Sequence, residues 1–454
     1  MTLTVDDLAR MSGATDGLYK KMGEDSVPRD RYFTQEFADL EREKLWTRTW
    51  QPACRLEEIP KVGDYSEYNI ADQSFLVVRV TEDEIKAYSN HCRHRGNELG
   101  NGNGSYRSGK IVCSFHGWRW NLDGSNDKVF ASEGFTPACL DPERLRLVDI
   151  KVAIAWGMVW INPDPEAAPF EEHMSEILNA TAAIRLEDMK VRWWRYMIVD
   201  ANWKTVQEPF MEAYHVAQTH PEIANGISLD DWNQSDYNSI YTYGSDGSGW
   251  SSGMPRILDN GIPPGPVPGI NAIDYSVISN QALHDGIDAA LMQDWQVAIM
   301  REFYHEKGLR DFEYVGAFNE KMYAEAAERG MDIPPPEVGG GGGYGFIFPN
   351  IVYTSMYGNA FLQRTRPHGT DPEKTIVEFW ALGQPQNDYK EKRPKRIGPL
   401  EYEDWGFVAQ QDLSNIEKLQ RGVKTTGLKE AYFSESYEGL ILNFHRVLET
   451  YLDR

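Results

Sequence analysis

The stretch that decides the fold of this chain spans residues 89–120 and reads SNHCRHRGNELGNGNGSYRSGKIVCSFHGWRW. It contains two of the four cysteines and three of the ten histidines in a sequence of 454 residues. Four of these residues form two mixed pairs, Cys92 with His94 and Cys113 with His116, and 18 residues separate the pairs. Glycines follow both pairs and permit the tight turns that such loops need. The stretch therefore predicts a metal site built on two loops.

The mixed pairing indicates which metal the loops hold. Structural zinc sites usually group like ligands, C-x(2–4)-C with H-x(3–5)-H, because one short turn places two identical ligands on one ion. Here each loop offers one thiolate and one imidazole, which suits a binuclear centre. In such a centre the cysteines bind one iron, the histidines bind the other, and sulfides bridge them. Neutral imidazole makes the cluster less negative and easier to reduce. A zinc site is the alternative, and His91 lies outside the pattern.

The two pairs resemble the Rieske motif C-x-H…C-x-x-H, and the flanking residues CRHRG and CSFHGW are also similar to it. The spacer between the pairs is slightly long for the motif. The resemblance implies a [2Fe–2S] cluster bound by Cys92, His94, Cys113 and His116 in a small antiparallel β domain. It places the histidines at the exposed tip, where the electron leaves.

Composition and charge exclude several classes of protein. The net charge of −23 argues against nucleic acid as a partner. No apolar run approaches the roughly 18 residues of a membrane span, and no signal peptide is evident. Four cysteines in so long a chain do not form a disulfide framework, which favours the reducing cytoplasm. The two remaining cysteines, Cys54 and Cys139, are expected to be ordinary buried thiols.

The 89–120 stretch is basic although the chain as a whole is acidic. One interpretation is a docking face for an acidic redox partner, and the other is local charge balance around anionic thiolates. The sequence leaves both open. Against the single acid Glu98, the basic residues of the stretch are Arg93, Arg95, Arg107, Lys110 and Arg119.

Hydrophobic periodicity divides the chain into three regions and predicts an α+β fold. Residues 1–49 form an N-terminal helical segment, with Thr34 as the N-cap of a helix at 34–48, that packs on the catalytic domain. Residues 50–165 read as short β-runs, including 152–162, and form the Rieske domain. Residues 166–454 form a larger catalytic domain with an antiparallel sheet flanked by helices. The loop-rich stretch at 245–269 and five glycines at 339–343 are candidate lids or surface linkers.

A second metal site is expected in the third region, within NWKTVQEPFMEAYHVAQTH at residues 202–220. This segment reads as one helix that Pro221 ends. His215 and His220 are five residues apart and project about 140° apart on a regular helix, so they can share a metal only if the helix ends or bulges between them. Two histidines with one carboxylate and open positions are the signature of a non-haem Fe(II) oxygenase.

The segment NWK…E…EAYHVAQTH is similar to the catalytic motif of Rieske non-haem iron ring-hydroxylating oxygenases, large (α) subunit. The resemblance implies a mononuclear Fe²⁺ bound by His215, His220 and a C-terminal aspartate in a D-x-x-N-x-E setting. The segment QQDLSNIEKLQRG matches that setting and makes Asp412 the third ligand. Glu403 and Asp404 are the fallback candidates.

Glu212 is expected to act between the two metal centres. It precedes His215 by three residues, so it lies on the same face of the predicted helix and can accept the ring N–H of that histidine. In the family the acid at this place is often Asp, and it links the iron to the Rieske cluster of a neighbouring subunit in a head-to-tail trimer. Phe210, Met211, Ala217 and the 225–310 region are expected to line the substrate pocket.

The two centres together predict an oxygenase that (di)hydroxylates a small aromatic substrate with O2. The chain lacks a G-x-G-x-x-G unit between a strand and a helix, so electrons are expected from a separate NAD(P)H reductase, a ferredoxin or both. The resemblance also implies a homotrimer of this chain, either α3 or α3β3 with a small β subunit. One alternative is a monooxygenase or dealkylase that acts on a non-aromatic or quaternary amine substrate. From other classes, a Rieske electron-transfer protein and a zinc-stabilised binding module are the alternatives.

Overall fold

The computed structural model of the chain describes residues 19–224, 242–251, 272–334 and 343–453. Its architecture is α+β, as the sequence predicts, with helices packed around largely antiparallel sheets. Most of the predicted loop at 245–269 and the glycines at 339–342 lie outside the described residues, whereas Gly343 begins a strand. In the ranges described, no helix is long and apolar enough to cross a bilayer.

The strands are numbered in chain order through the described residues. They are β1 (Ser26–Pro28), β2 (Gln51–Arg55), β3 (Asp64–Ile70), β4 (Gln73–Arg79), β5 (Ile85–Ser89), β6 (Asn103–Ser105), β7 (Lys110–Val112), β8 (Arg119–Asn121), β9 (Asn126–Lys128), β10 (Asp149–Ala155), β11 (Met158–Asn162), β12 (Lys190–Val199), β13 (Thr242–Tyr243), β14 (Gly249–Ser251), β15 (Gly343–Ile347), β16 (Ile351–Met356), β17 (Asn359–Pro367), β18 (Thr375–Gly383), β19 (Arg396–Ile397) and β20 (Glu430–Tyr432).

The α-helices are numbered in the same way. They are α1 (Gln35–Glu41), α2 (Pro142–Leu145), α3 (Phe170–His173), α4 (Ser175–Thr181), α5 (Trp203–Gln207), α6 (Val216–Thr219), α7 (Pro221–Ala224), α8 (Ala272–Gly286), α9 (Asp294–Arg301), α10 (Asp311–Glu328), α11 (Phe407–Val423) and α12 (Glu435–Leu452). The predicted N-cap of α1 is present, because the Thr34 side chain accepts from the Phe37 amide at 3.4 Å.

The first large sheet has seven strands in the order β2-β11-β10-β5-β4-β3-β6, and a three-stranded sheet, β7-β8-β9, accompanies it. The predicted single β-run at 152–162 is wrong, since it is the hairpin of β10 and β11. Trp156 and Gly157 turn the chain, with φ of 54° and 70°. Two successive positive φ values match the right-handed twist of the paired strands. The first Cys-His pair follows β5, and the second lies between β7 and β8.

The second large sheet has eight strands in the order β13-β14-β15-β16-β17-β18-β12-β19. All its pairs are antiparallel except β12 with β19, which is parallel. This sheet forms one wall of the candidate site.

A shared hydrophobic core joins the two large sheets. It combines Val77 and Ile161 of the first sheet with Phe346 and Val352 of the second, and with Phe444 on α12. The N-terminal segment packs on the same core, where the Trp46 ring lies 5.0 Å from that of Trp203. A separate core beneath the two metal-binding loops includes Cys92, Cys113, Trp118 and Trp120.

Candidate active site

The two Cys-His loops have the same backbone design. The amides of Cys92 and Cys113 each donate to the carbonyl five residues ahead, at 2.8 and 2.9 Å. Their carbonyls each accept from a glycine amide four residues ahead, Gly96 or Gly117, at 3.0 Å in both loops. Both glycines have positive φ, 81° and 70°, which a side chain would strain. The repeated turn places one thiol and one imidazole from each loop side by side.

The side chains of the four residues divide into a buried pair and a half-buried pair. The two cysteines are 2% exposed, whereas His94 and His116 are half-buried. The Nδ1 atoms of the histidines face one another at 3.2 Å, and the ring of His94 stacks on Trp118 at 4.8 Å. Burial, together with the neighbouring Cys113 thiol, raises the pKa of Cys92 to about 11. Two such thiols become thiolates when metal replaces their protons.

The spacing of the four ligand atoms argues against one zinc ion. Ligands of a single tetrahedral zinc lie about 3–4 Å from one another, given metal–ligand distances of 2.0–2.3 Å. Within the described chain, just one group of three or more His, Cys, Asp or Glu has all its ligand atoms within 4.8 Å, and it does not include these residues. The thiols and imidazoles therefore face two positions rather than one, as a binuclear cluster requires.

The basic residues around the loops are partly balanced within the chain. Lys110 and Arg119 both pair with Asp127, at 2.7 and 3.3 Å. Local charge balance therefore accounts for these two. Arg95, in contrast, is exposed, and its guanidinium lies 5.0 Å from the centre of the Phe115 ring. The interpretation of the basic stretch as a docking face for a redox partner therefore rests on Arg95.

The segment at 202–220 is not one helix, and this prediction was wrong. Helix α5 continues into a 3-10 turn at Glu208–Met211, and the chain is then extended at Glu212, with φ −144° and ψ 161°. Helix α6 is a single turn that has His215 and His220 at its two ends. The two rings therefore meet, with centroids 5.2 Å apart, although their spacing of five residues does not suit a continuous helix.

Three side chains converge at this break. The Oδ1 atom of Asp412 lies 2.9 Å from Nε2 of His220 and 3.5 Å from Nε2 of His215. Asp412 and His220 are 4% and 3% exposed, and His215 is 23% exposed on the cavity side. All three ligand atoms fall within 4.8 Å of one another.

The hydrogen bonds around this triad show that it fits a metal ion. The Nδ1 atom of His215 bonds Glu212 Oε1 at 2.6 Å, and that of His220 bonds Gln411 Oε1 at 2.8 Å. Both partners are acceptors, so each Nδ1 carries a proton, and each Nε2 of a neutral ring presents a lone pair. Oδ1 of Asp412 is buried and, in the part of the chain that the structure describes, has no partner in hydrogen-bonding geometry. Two imidazole nitrogens and a carboxylate oxygen that face one point suit a shared cation, either a proton or a metal ion.

The pKa values of His215 and Asp412 also indicate a site for a cation. Although burial lowers it, the carboxylates of Asp412 and Glu212 raise the pKa of His215 to about 10. Burial raises the pKa of Asp412, but the two histidines hold it below its usual value. The metal-free pocket thus demands positive charge, which a proton or a divalent cation supplies. Two imidazoles and one carboxylate are a donor set that suits Fe²⁺.

Helix α11 explains why Asp412 is buried. Val408, Asp412 and Ile416 follow one another at intervals of four residues on its buried face. The fallback ligands Glu403 and Asp404 are exposed on a separate turn, so the structure does not bring them to the histidines. A carboxylate on an apolar helix face is costly unless a counter-charge compensates it.

Gln411 is a site residue that no sequence motif indicates. Besides its bond to His220, its Nε2 donates to Glu222 Oε2 at 2.9 Å. It therefore fixes the ring of His220 as Glu212 fixes that of His215. The available signal was its position next to Asp412, but the contact joins residues 191 positions apart.

A cavity of about 340 Å³ opens beside the triad. The predicted lining residue Phe210 is part of it, but Met211 and Ala217 are not. Met211 is buried in the hydrophobic core, because the 3-10 turn points it away from the cavity. Helices α8 and α11 close the cavity opposite β15 to β17 of the second sheet. The wall is mainly apolar and includes Ile223, Leu283 and Phe361.

Two family models match the chain. The Rieske [2Fe-2S] domain matches residues 49–136, and the ring hydroxylating alpha subunit (catalytic domain) matches residues 186–454. The second match covers more than half of the sequence. The chain belongs to the ring-hydroxylating alpha subunit family. The matches confirm the predicted combination of a Rieske domain with the catalytic domain of mononuclear-iron ring hydroxylases.

The relatives of this alpha subunit have names that indicate different substrates. The carnitine monooxygenase oxygenase subunit of Acinetobacter baumannii is 27% identical over 48% of this chain and 59% of its own length. The glycine betaine monooxygenase oxygenase subunit of Chromohalobacter salexigens is 29% identical over 50% of each. The 2-aminobenzenesulfonate 2,3-dioxygenase alpha subunit of Alcaligenes sp. is 25% identical over 45% of this chain and 52% of its own length. The chain spans about half the length of the curated relatives it matches.

Solved structures share the fold over nearly the whole chain. A quaternary ammonium Rieske monooxygenase in complex with L-carnitine has a TM-score of 0.61 at 18% identity, over 95% of this chain and 99% of that one. Naphthalene 1,2-dioxygenase from Rhodococcus sp., bound to indole, has a TM-score of 0.60 at 21% identity, over 99% of both. These likenesses establish the fold of this alpha subunit and no more.

Proposed function

We propose that the chain is the terminal oxygenase component that activates O2 at a mononuclear Fe²⁺ and inserts oxygen into a small organic substrate. His215, His220 and Asp412 would bind this iron, while Cys92 and Cys113 with His94 and His116 would bind the [2Fe–2S] cluster. The observation that carries the proposal is the buried Oδ1 of Asp412, which has no hydrogen-bonding partner among the described residues and faces the Nε2 atoms of two imidazoles beside an apolar cavity.

The side chains of the protein have defined tasks in this proposal. When bound, the iron supplies O2 activation and the cluster supplies an electron. Glu212 holds His215 through two contacts, accepting from its ring at 2.6 Å and from its backbone amide at 3.0 Å. Gln411 orients His220 in the same way. The apolar wall, with Ile223 and Leu283, excludes water from the reacting position.

An aromatic substrate is our first candidate. The cavity wall offers flat apolar surface from Phe210 and Phe361, and the Phe361 ring is itself stacked on Phe379 at 5.3 Å. Offset-stacked and edge-on contacts with such rings stabilise a bound arene. A cavity of about 340 Å³ lies within the range that accommodates small organic ligands.

A quaternary amine is the second candidate. Relatives that oxidise carnitine and glycine betaine favour it. Aromatic faces such as those of Phe210 and Phe361 can also hold a quaternary ammonium group by cation–π attraction. In this case the reaction would be monooxygenation of a carbon next to nitrogen.

A single-turnover experiment tests the proposal and separates the candidates. Iron-loaded protein is reduced without oxygen and then exposed to isotopically labelled O2 in the presence of naphthalene, toluene, carnitine or glycine betaine. We expect two labelled oxygen atoms in a dihydrodiol of an arene, and an oxidised quaternary amine would favour the second candidate. A His215→Ala variant should give no product. If no substrate acquires label, or if His215→Ala gives the same product as the wild type, the proposed function is wrong.

We further propose that the chain works as a homotrimer, with or without a β subunit, and receives electrons from a ferredoxin or an NAD(P)H reductase. The exposed ring of Phe115, next to His116 of the cluster loops, supports a protein contact at this tip. Light scattering on the purified chain should give three times the mass of one subunit. A monomeric species that turns over at the full rate would contradict this arrangement.

A further inference from the structure

Gln363 on β17 is a buried polar side chain that the iron chemistry does not use. It is 2% exposed and lines the cavity beside the triad. Neither its Oε1 nor its Nε2 has a hydrogen-bonding partner within the described protein. Buried amide groups nearly always have hydrogen-bonding partners. A carboxamide at a cavity wall whose oxygen and nitrogen both lack partners therefore indicates a ligand that supplies the missing hydrogen bonds.

The surroundings of Gln363 explain why the protein itself does not satisfy this amide. In the sheet register Gln363 lies between Val352 of β16 and Phe379 of β18. Phe361 lies two residues before it, on the same face of the strand. The carboxamide therefore sits in an apolar surface, where leaving it unpaired costs free energy that a hydrophobic residue would avoid.

The two orphan atoms define the chemistry of the missing partner. Oε1 needs a donor and Nε2 needs an acceptor. A planar carboxamide or a similar neutral group on the substrate offers both in one plane. We propose that Gln363 determines specificity by binding a neutral donor–acceptor substituent on an arene, an inference that rests on the proposed function.

The charges around the cavity favour a neutral substituent over an ionic one. The described lining holds the acids Glu212 and Asp412 and includes neither Lys nor Arg. A carboxylate substituent of the substrate, bound at Gln363, would find neither Lys nor Arg in the described lining and would leave Oε1 without a donor. A quaternary ammonium group carries no N–H and no acceptor, so it would leave both amide atoms unpaired.

Binding of three aromatic probes of matched shape tests the inference. Benzamide donates and accepts, acetophenone only accepts, and α-methylstyrene does neither. Affinities are measured by calorimetry on oxygen-free, iron-loaded protein, so no turnover is needed. We expect Gln363→Leu to weaken benzamide binding at least tenfold, to weaken acetophenone less, and to strengthen α-methylstyrene binding.

Gln384→Leu is the matched control. Gln384 is also buried, its Nε2 also has no partner in the described protein, and it does not line the cavity. Its replacement should leave the three affinities in their wild-type order. In the absence of ligand, Gln363→Leu should unfold at the same temperature as the wild type or higher.

The result that overturns the inference is an equal change for all three probes in Gln363→Leu, or a wild type that binds none of them. Either result leaves the oxygenase proposal standing, because that proposal is judged by labelled products in the single-turnover experiment. Conversely, probe-dependent binding without any product would retain the role of Gln363 and remove the proposed function.

Discussion

At the scale of single residues, the sequence predicts the metal-binding side chains better than the groups that hold them. Cysteine, histidine and aspartate have few reasons to occur in these spacings, so Cys92, His94 and His215 can be proposed from local motifs. Gln411 and Gln363 could not be found in this way. Glutamine is common on protein surfaces. The role of Gln411 depends on a contact with His220, 191 positions away, and that of Gln363 on a buried place in a cavity wall that exists only in the folded sheet.

The role of Glu212 leads to a prediction at this scale. Glu212→Gln should lower the affinity of the mononuclear site for Fe²⁺ by about 10–100-fold, as loss of partners behind metal ligands typically does. The amide keeps one acceptor oxygen, whereas Glu212 serves both the ring and the backbone amide of His215. Equilibrium dialysis against Fe²⁺ measures the effect.

Glu417→Gln is the control for this measurement. Glu417 is exposed on α11 and lies 3.8 Å from Arg421, and its replacement should leave Fe²⁺ affinity unchanged. Equal affinities of wild type and Glu212→Gln would contradict the positioning role.

At the scale of elements, strands were predicted well and the helix that carries the histidines was not. The short β-runs of residues 50–165 predict strands, and strands β2 to β11 occupy that region. The 202–220 segment has helical periodicity, but Pro209 and the extended residue Glu212 interrupt it. Local periodicity does not reveal that interruption, because contacts of Glu208 with Tyr32 and His445, which are distant in the chain, stabilise the break.

The 3-10 turn at Glu208–Met211 holds a buried acid whose ionisation should affect stability. Glu208 accepts from the Tyr32 hydroxyl at 3.0 Å and lies 2.9 Å from Nε2 of His445. Burial, with a smaller contribution from Glu438, raises the pKa of Glu208 to about 8. Burial also holds the pKa of His445 well below 6.5, so that ring stays neutral.

A pH-dependent prediction follows for Glu208. Its pKa is higher in the folded than in the unfolded state, so its stabilising contribution is complete below about pH 4.5 and is lost as pH rises through about 8. Glu208→Gln mimics the protonated form. Between pH 6.5 and 8 the wild type should lose stability relative to Glu208→Gln by up to about 1.4 kcal/mol per pH unit.

Scanning calorimetry over this pH range checks the prediction, because both proteins carry His445 and its titration in the unfolded state, near pH 6.5, cancels from the difference. The gap in Tm between Glu208→Gln and the wild type should widen with pH. The exposed Glu43→Gln serves as control and should run parallel to the wild type. A constant gap for Glu208→Gln would show that Glu208 is ionised across the range.

At the scale of the whole molecule, the two metal-binding regions were predictable from the sequence, but the contacts between the two large sheets were not. Arg364 of β17 donates to the Ala53 carbonyl in β2 at 2.9 Å, which ties the second large sheet to the first. Its Nε also donates to Glu378 of β18 at 2.9 Å. Residues 53 and 364 lie far apart in sequence, and their pairing exists only once both sheets are folded.

Removal of Glu378, the acid that binds Arg364 at this contact between the sheets, should destabilise the protein. Although burial raises it, Arg364, Arg396 and Arg366 hold the pKa of Glu378 well below its usual value. Glu378→Gln would leave buried guanidinium groups without a counter-charge, which typically costs about 3–5 kcal/mol. Because the folded pKa is depressed, the difference from the wild type should shrink as pH falls below about 4.5.

Glu325→Gln provides the comparison for Glu378→Gln. Glu325 pairs with Arg329 at 2.6 Å on the surface of α10, where an ion pair contributes about 0–1 kcal/mol. Thermal unfolding followed by circular dichroism should show a large loss in Tm for Glu378→Gln and a small one for Glu325→Gln. Similar losses in Tm for both variants would contradict the stabilising role of Glu378 between the two sheets.

Two separate iron centres in one chain should be visible in the iron and acid-labile sulfide content of the loaded protein. We expect three iron atoms and two sulfides per chain, with one of the irons held by His215, His220 and Asp412. Asp412→Ala should retain two iron atoms and both sulfides. Zinc without sulfide in the wild type, or three iron atoms in Asp412→Ala, would show that the chain does not hold these two centres.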